Sequence, residues 1–596
     1  MESLNKLLVP CFAFSLLLYL PGCGSIAGAI GGGPNLTITA QAQSTSLQAG
    51  QADLLSAPVM HAGGNPAVTW SISGSTCPNS CGALSTVNGE TYTSPSFVPA
   101  TFMVSVTATA VADPSKSASV TLTVNQSLSV DCPTGNEAAL AGQYAFLLRG
   151  GGSAGGVTTT GSITADGKGN ITAGLEDINS NSAGPQTGLT LPAGQSLYTV
   201  GPDNRGCLGL VNSQNALNIY RFGLSSVSGG VATAGRMIEF DDTTGNGTRA
   251  EGFLAQQDSA SFLTSAIHGD YVFGLAGGDS TGGRYASAGV LTANAGAFSN
   301  GNMDSDDAGV LGTNITGISG AYSVASSGRG TLSLSPGGGQ NFILYMISAS
   351  RFIAMSSDAL DSSHPLQSGQ VELQSGALNN AALNAPSVLG LTSFDDSSAA
   401  PGAAVGVFTP DGNGNATQVL DVNAGGTYTP LQSSVLTYSV GLNGRVTISG
   451  IAQPPVFYLS AANRGFVVGT DAPATFGTFE PQSGGPFSNA SLSGTYTYGT
   501  EGAAVGSRLT AVGSTTFDGT QNVQGTEDDS SPAGLLANNP TSNAQYSFLS
   551  NSLPPGRGTL DTSNNVNPSV AYIVSPTKLI YINPPATKPR LVVVEK

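Results

Sequence analysis

Four hexapeptides decide how this chain is read: GSITAD (Gly161–Asp166), GVLTAN (Gly289–Asn294), GVFTPD (Gly406–Asp411) and GSTTFD (Gly513–Asp518). Each runs Gly, two residues, Thr, one residue, then Asp or Asn, and ten positions further on stands an acid: Glu176, Asp304, Asp421 and Asp528. Downstream, Tyr198, Tyr322 and Tyr438 precede Arg205, Arg329 and Arg445 by seven residues, and Tyr546 precedes Arg557 by eleven, across a Pro-Pro insertion. A later apolar segment carries Tyr220, Tyr345, Tyr458 or Tyr572. The landmarks lie 128, 117 and 107 residues apart, so the repeat is domain-sized and not a propeller blade.

Residues 266–376 show what one unit contains. Short apolar alternations such as YVFGL, ASAGVLTA, GTLSLS and NFILYMIS are separated by Gly, Asn, Asp and Ser turns, with no helical period between them. About eight strands joined by short turns predict an up-and-down antiparallel meander. Eight strands can close into a barrel that is filled or holds one small ligand, and a two-sheet sandwich is the alternative. The units are placed at 138–258, 266–376, 386–484 and 490–596.

Composition agrees with an all-β chain. There are 81 Gly and 33 Pro in 596 residues, 40% of residues are hydrophobic and only 9% charged, which excludes coiled coils and charge-rich disorder. The net charge of −17 opposes nucleic-acid phosphates, so no nucleic-acid partner is expected.

Against so few charges, an acid and an arginine recurring in every unit stand out. The expectation is one bidentate pair per unit closing the barrel's end, for instance Arg329 with Asp304, from the set Glu176, Arg205, Asp304, Arg329, Asp421, Arg445, Asp528 and Arg557. Motifs that imitate chemistry fail on context. Asp411-Gly-Asn-Gly-Asn415 begins like a calcium loop but has Ala416 and Val422 where an EF-hand needs Gly and Glu, and reads as a hairpin turn. Gly278–Gly282 fits G-x-S-x-G, yet a strand follows it instead of a helix. No catalytic residue, cofactor or metal site is predicted, and the expected role is non-catalytic. The alternative is binding of an apolar ligand or carbohydrate inside or between the barrels.

The N-terminus is an address. Lys6 precedes an apolar run, Leu7 to Leu20, that ends in Leu20-Pro21-Gly22-Cys23 and is too short to span a bilayer. This resembles the lipobox signal of bacterial lipoproteins, which implies cleavage after residue 22, lipidation of Cys23 and anchoring of an exported protein at the outer membrane or cell surface. Residues 23–34 then form an anchor and glycine-rich tether, so the membrane is a partner through the lipid alone, and surface proteins or glycans are the other candidates. Four further cysteines allow three pairings. Cys77 and Cys81 bracket a Pro-Asn-Ser turn that suits a local disulfide, leaving Cys132 to reach Cys207. From 35 to 127, AVTWSIS, FMVSVTATA and ASVTLTV alternate as in a sandwich, and Val68–Ile72, Tyr92–Pro95 and Val104–Ala110 resemble bacterial Ig-like domains. That resemblance implies a spacer or adhesive module with Trp70, the only tryptophan, in its core.

Overall fold

The two-residue alternation of each unit is carried by strands that roll up until the last pairs with the first. A computed structural model describes residues 35–596 except 63, 78–80, 87–89, 244–246, 336–338, 396–398, 503–508, 562–567 and 585, so the signal, Cys23 and the tether lie outside the described residues. Four eight-stranded antiparallel barrels follow one another, built from strands within Ala141–Gln256, Gly269–Leu373, Ser387–Pro481 and Ser493–Glu595. In the last three, the first strand pairs with both the second and the eighth, for example Phe273 with Gly289 and with Val371. In the first barrel the fourth strand is split into Gly184–Thr190 and Ser196–Val200. Leu191 enters the core between the two pieces, and both pair with Asn170–Ser180.

Each interior is filled. Four apolar clusters occupy the four barrels, and a void of about 30 Å³ in the second is room for little more than one water. One end of every barrel is stoppered by a 3-10 turn and the apolar residue after it, and the fourth-strand tyrosine latches the stopper. Tyr198, Tyr322, Tyr438 and Tyr546 donate to the carbonyls of Leu140 (2.8 Å), Ile267 (2.6 Å), Leu383 (2.9 Å) and Leu492 (3.3 Å). The tyrosines that precede each arginine therefore serve their own barrel.

The landmark aspartates are turn caps. Asp166, Asp411 and Asp518 each accept the backbone N–H groups two and four residues on, at 2.7 and 3.0 Å, and the Nδ2 of Asn170, Asn415 or Asn522. Those hydrogen bonds use up the carboxylate that gave Asp411–Asn415 its likeness to a calcium loop.

N-terminal to the barrels, two four-stranded sheets face each other as a sandwich around Leu47, Tyr92, Val104, Val106, Leu122 and Val124. Trp70 lies on the edge strand Val68–Gly74, half-buried against this core, with its indole N–H donating to Glu90. The disulfides are Cys77–Cys81 and Cys132–Cys207. The second ties the linker to the first barrel, where Phe97 and Leu128 pack on Val211 and Cys207.

Candidate functional site: the inter-barrel ring and its axial cavity

The outer faces of the barrels are apolar as well as the inner ones, because each barrel packs on the next. Ala145, Leu147 and Ala255 of the first meet Ile343, Tyr345 and Ile353 of the second. Val272, Ala288 and Val290 of the second meet Val456, Tyr458 and Phe466 of the third, and Val388, Val405 and Val407 of the third meet Val570, Tyr572 and Ile580 of the fourth. The fourth returns to the first through Val512 against Ile238 and Phe240. These head-to-tail contacts close into a ring of four.

The recurring acids and arginines sit in these seams, which corrects the expectation of one pair within each unit. Arg445 of the third barrel grips Asp304 of the second through Nε (2.6 Å) and Nη2 (2.8 Å). Arg557 of the fourth grips Asp421 of the third, both contacts at 2.8 Å, and Arg329 of the second grips Asp177 of the first at 2.8 and 2.7 Å. The cycle ends with Arg205 of the first on Asp528 of the fourth, a single contact of 2.8 Å supplemented by Asp203 and Asn538. Tyr345, Tyr458 and Tyr572, each directly opposite its barrel's arginine, donate to the same carboxylates at 2.6 Å.

From its own barrel each carboxylate receives a backbone N–H from a residue in the left-handed region: Gly188 (φ 69°), Asn314 (φ 51°), Leu431 (φ 50°) and Asn538 (φ 55°). Burial works to raise Asp304 and Asp421, but the hydrogen bonds from Arg445 and Tyr458, and from Arg557, Tyr428 and Tyr572, outweigh it and hold both below the ordinary value.

Glu176 is not the first unit's ring acid; Asp177 is. In the third and fourth units the acid stands opposite the residue before the landmark glycine, as Val405 to Asp421 and Val512 to Asp528. In the first unit the register shifts between Thr164 and Ala165, leaving Thr172 as an extra residue, so Asp177 faces Thr160 there. A one-residue slip turns every side chain to the other face. Glu176 consequently points into its own barrel, fully buried, accepting from Asn212, Asn218 and Tyr220. Tyr220 serves Glu176 instead of the ring because Gly223, not Tyr220, pairs with Arg205, and Gly223 is where Thr497 of the fourth barrel packs closely.

On the axis of the ring the four barrels enclose a cavity of about 210 Å³. Its wall carries Arg149, Arg236, Arg284, Arg351, Arg464 and Lys578 with Glu251, Glu372, Glu480, Glu501 and Glu595, a concentration of cations unlike the rest of an acidic chain. Glu372 reaches Arg464 of the next barrel (3.4 Å), Glu480 reaches Lys578 (2.6 Å), and Glu595 reaches Arg236 (3.2 Å) as well as Lys578 (3.1 Å). Burial raises Glu595, yet Arg236 and Lys578 pull it well below the usual glutamate range. Sequence reasoning missed this set, because its members share no spacing with the landmark. The signal in the sequence is a cation on the seventh strand and a glutamate on the eighth strand of every unit.

No family model matches this chain, and no curated protein matches it.

Proposed function

We propose that this is an exported, lipid-anchored, non-catalytic protein of the bacterial outer membrane or cell surface, with a structural, adhesive or interaction role. One observation carries the reading: an acid and an arginine of every unit, with the tyrosine of three of them, the best candidates for chemistry, are spent on joining barrel to barrel. Such a ring packs four barrels together through apolar seams and buried ion pairs, which suits it to presenting surface. Two disulfides fit an oxidising compartment, and the Leu20-Pro21-Gly22-Cys23 lipobox supports the anchor. An apolar ligand inside a barrel finds little room, since the interiors are filled.

The test is expression of the full chain in a bacterial host fed radiolabelled palmitate. The protein is expected to take up label and fractionate with the outer membrane, and Cys23→Ala to abolish both. Unchanged labelling in the variant, or wild-type protein recovered unlabelled from the cytoplasm, overturns the anchor.

A further inference from the structure

The axial wall repeats once per barrel with one exception. The seventh strand supplies a cation near the axis in each barrel, Arg236, Arg351, Arg464 and Lys578. On the adjacent eighth strand, Glu372 stands opposite Arg351 and Glu595 opposite Lys578, and Glu480 occupies the matching place beside Arg464. In the first barrel the residue opposite Arg236 is Phe253. Each of these glutamates is drawn to the cation of the following barrel, and Arg236 meets Glu501 of the fourth barrel besides Glu595. The cation following Phe253, Arg351, is the one left without an eighth-strand acid from the preceding barrel.

Arg351 is held in place without being neutralised. Its guanidinium lies over the Phe253 ring, 5.6 Å from the centroid, and Nε donates to Gln370 Oε1 (2.8 Å), which also accepts from Nη2. No carboxylate among the described residues forms a salt bridge with it. Burial lowers its pKa, and repulsion from Arg464 and Arg236 adds to that, against attraction by Glu372 and Glu595. Across the whole cavity the lining carries one more cation than acid.

We propose that the axial cavity binds a small organic carboxylate, whose two oxygens meet the Arg351 guanidinium while its carbon chain lies against Phe253, Phe466 and Phe476. A planar guanidinium matches a carboxylate edge to edge, and a monoanion offsets the one cation by which the cavity wall exceeds its acids. The aromatic share of the wall favours an organic acid over a fully hydrated inorganic ion. The inference rests on the ring and is independent of the lipid anchor.

The experiment titrates propionate into the purified full chain at constant ionic strength, following the thermal midpoint and the heat of binding, with chloride and phosphate as comparison anions. Saturable stabilisation by propionate is expected, because a ligand that binds only the folded state raises its stability with concentration. Phe253→Glu supplies the absent acid and is expected to weaken propionate at least tenfold, as is Arg351→Gln. Either variant alone is decisive if the other does not fold. Absence of saturation, equal binding of chloride or phosphate, or full affinity retained in a folded variant overturns the proposal.

Discussion

A buried ion pair contributes little net stability when intact and costs a great deal when halved. Asp304 is 3% exposed and is held by Arg445, Tyr458 and the Asn314 N–H. Arg445→Ala leaves that carboxylate buried with its main cation removed, and is expected to cost about 3–5 kcal/mol in urea unfolding. The double variant Arg445→Met, Asp304→Leu, which removes the stranded charge as well, is expected to lose clearly less. Equal losses would show that Asp304 is not the stranded charge. At this scale the sequence was half legible. That an acid and an arginine recur could be read directly, because charges are so rare in the chain. Their partners could not, since spacing within a unit says nothing about which surface faces a neighbour, and a single bulge at Thr172 exchanged the roles of Glu176 and Asp177.

Between elements, the barrels fit because bulk on one side is matched by its absence on the other. The third residue of the seventh strand, Ile353, Phe466 or Ile580, rests on the first strand of the preceding barrel. There Leu147 receives the isoleucine of the second barrel, whereas Gly274 receives Phe466 and Gly390 receives Ile580. A Cβ at Gly274 would come within 2.3 Å of the Phe466 ring. Gly274→Val is therefore expected to destabilise the chain by about 1–3 kcal/mol through overpacking, and Phe466→Ala in the same chain to recover part of the loss. Additive losses would sink the idea. Strand count and topology were legible from alternation and turn residues, because closure obeys local rules. The apolar outer faces were in the sequence too, as runs such as Asn341–Ile347 with scarcely an interruption, but such a run does not say what covers its second face.

For the molecule as a whole, buried acids of two kinds set the response to pH. Burial, reinforced by neighbouring carboxylates, pushes Asp529 up to about 8, Asp306 to about 7 and Asp241 to about 6. Their native pKa lies above the unfolded one, so the stability they contribute is complete below pH 4 and is lost as pH rises through those values. Asp304 and Asp421 behave oppositely: their stability is present above the ordinary aspartate pKa and is lost in stronger acid. The thermal midpoint is expected to peak between about pH 4 and 6 and to be lower at pH 8.5 than at pH 5. A midpoint that is level or rising between pH 5 and 8.5 would contradict this assignment.

The seam that joins Arg205 to Asp528 has a consequence for how such a gene can grow. Each barrel offers a donor side and an acceptor side, and both sides of all four are occupied once the last meets the first. A fifth copy inserted in tandem would find no vacant docking side, and loss of one would expose two. The number of repeats is thus fixed by closure of the ring, not by chain length.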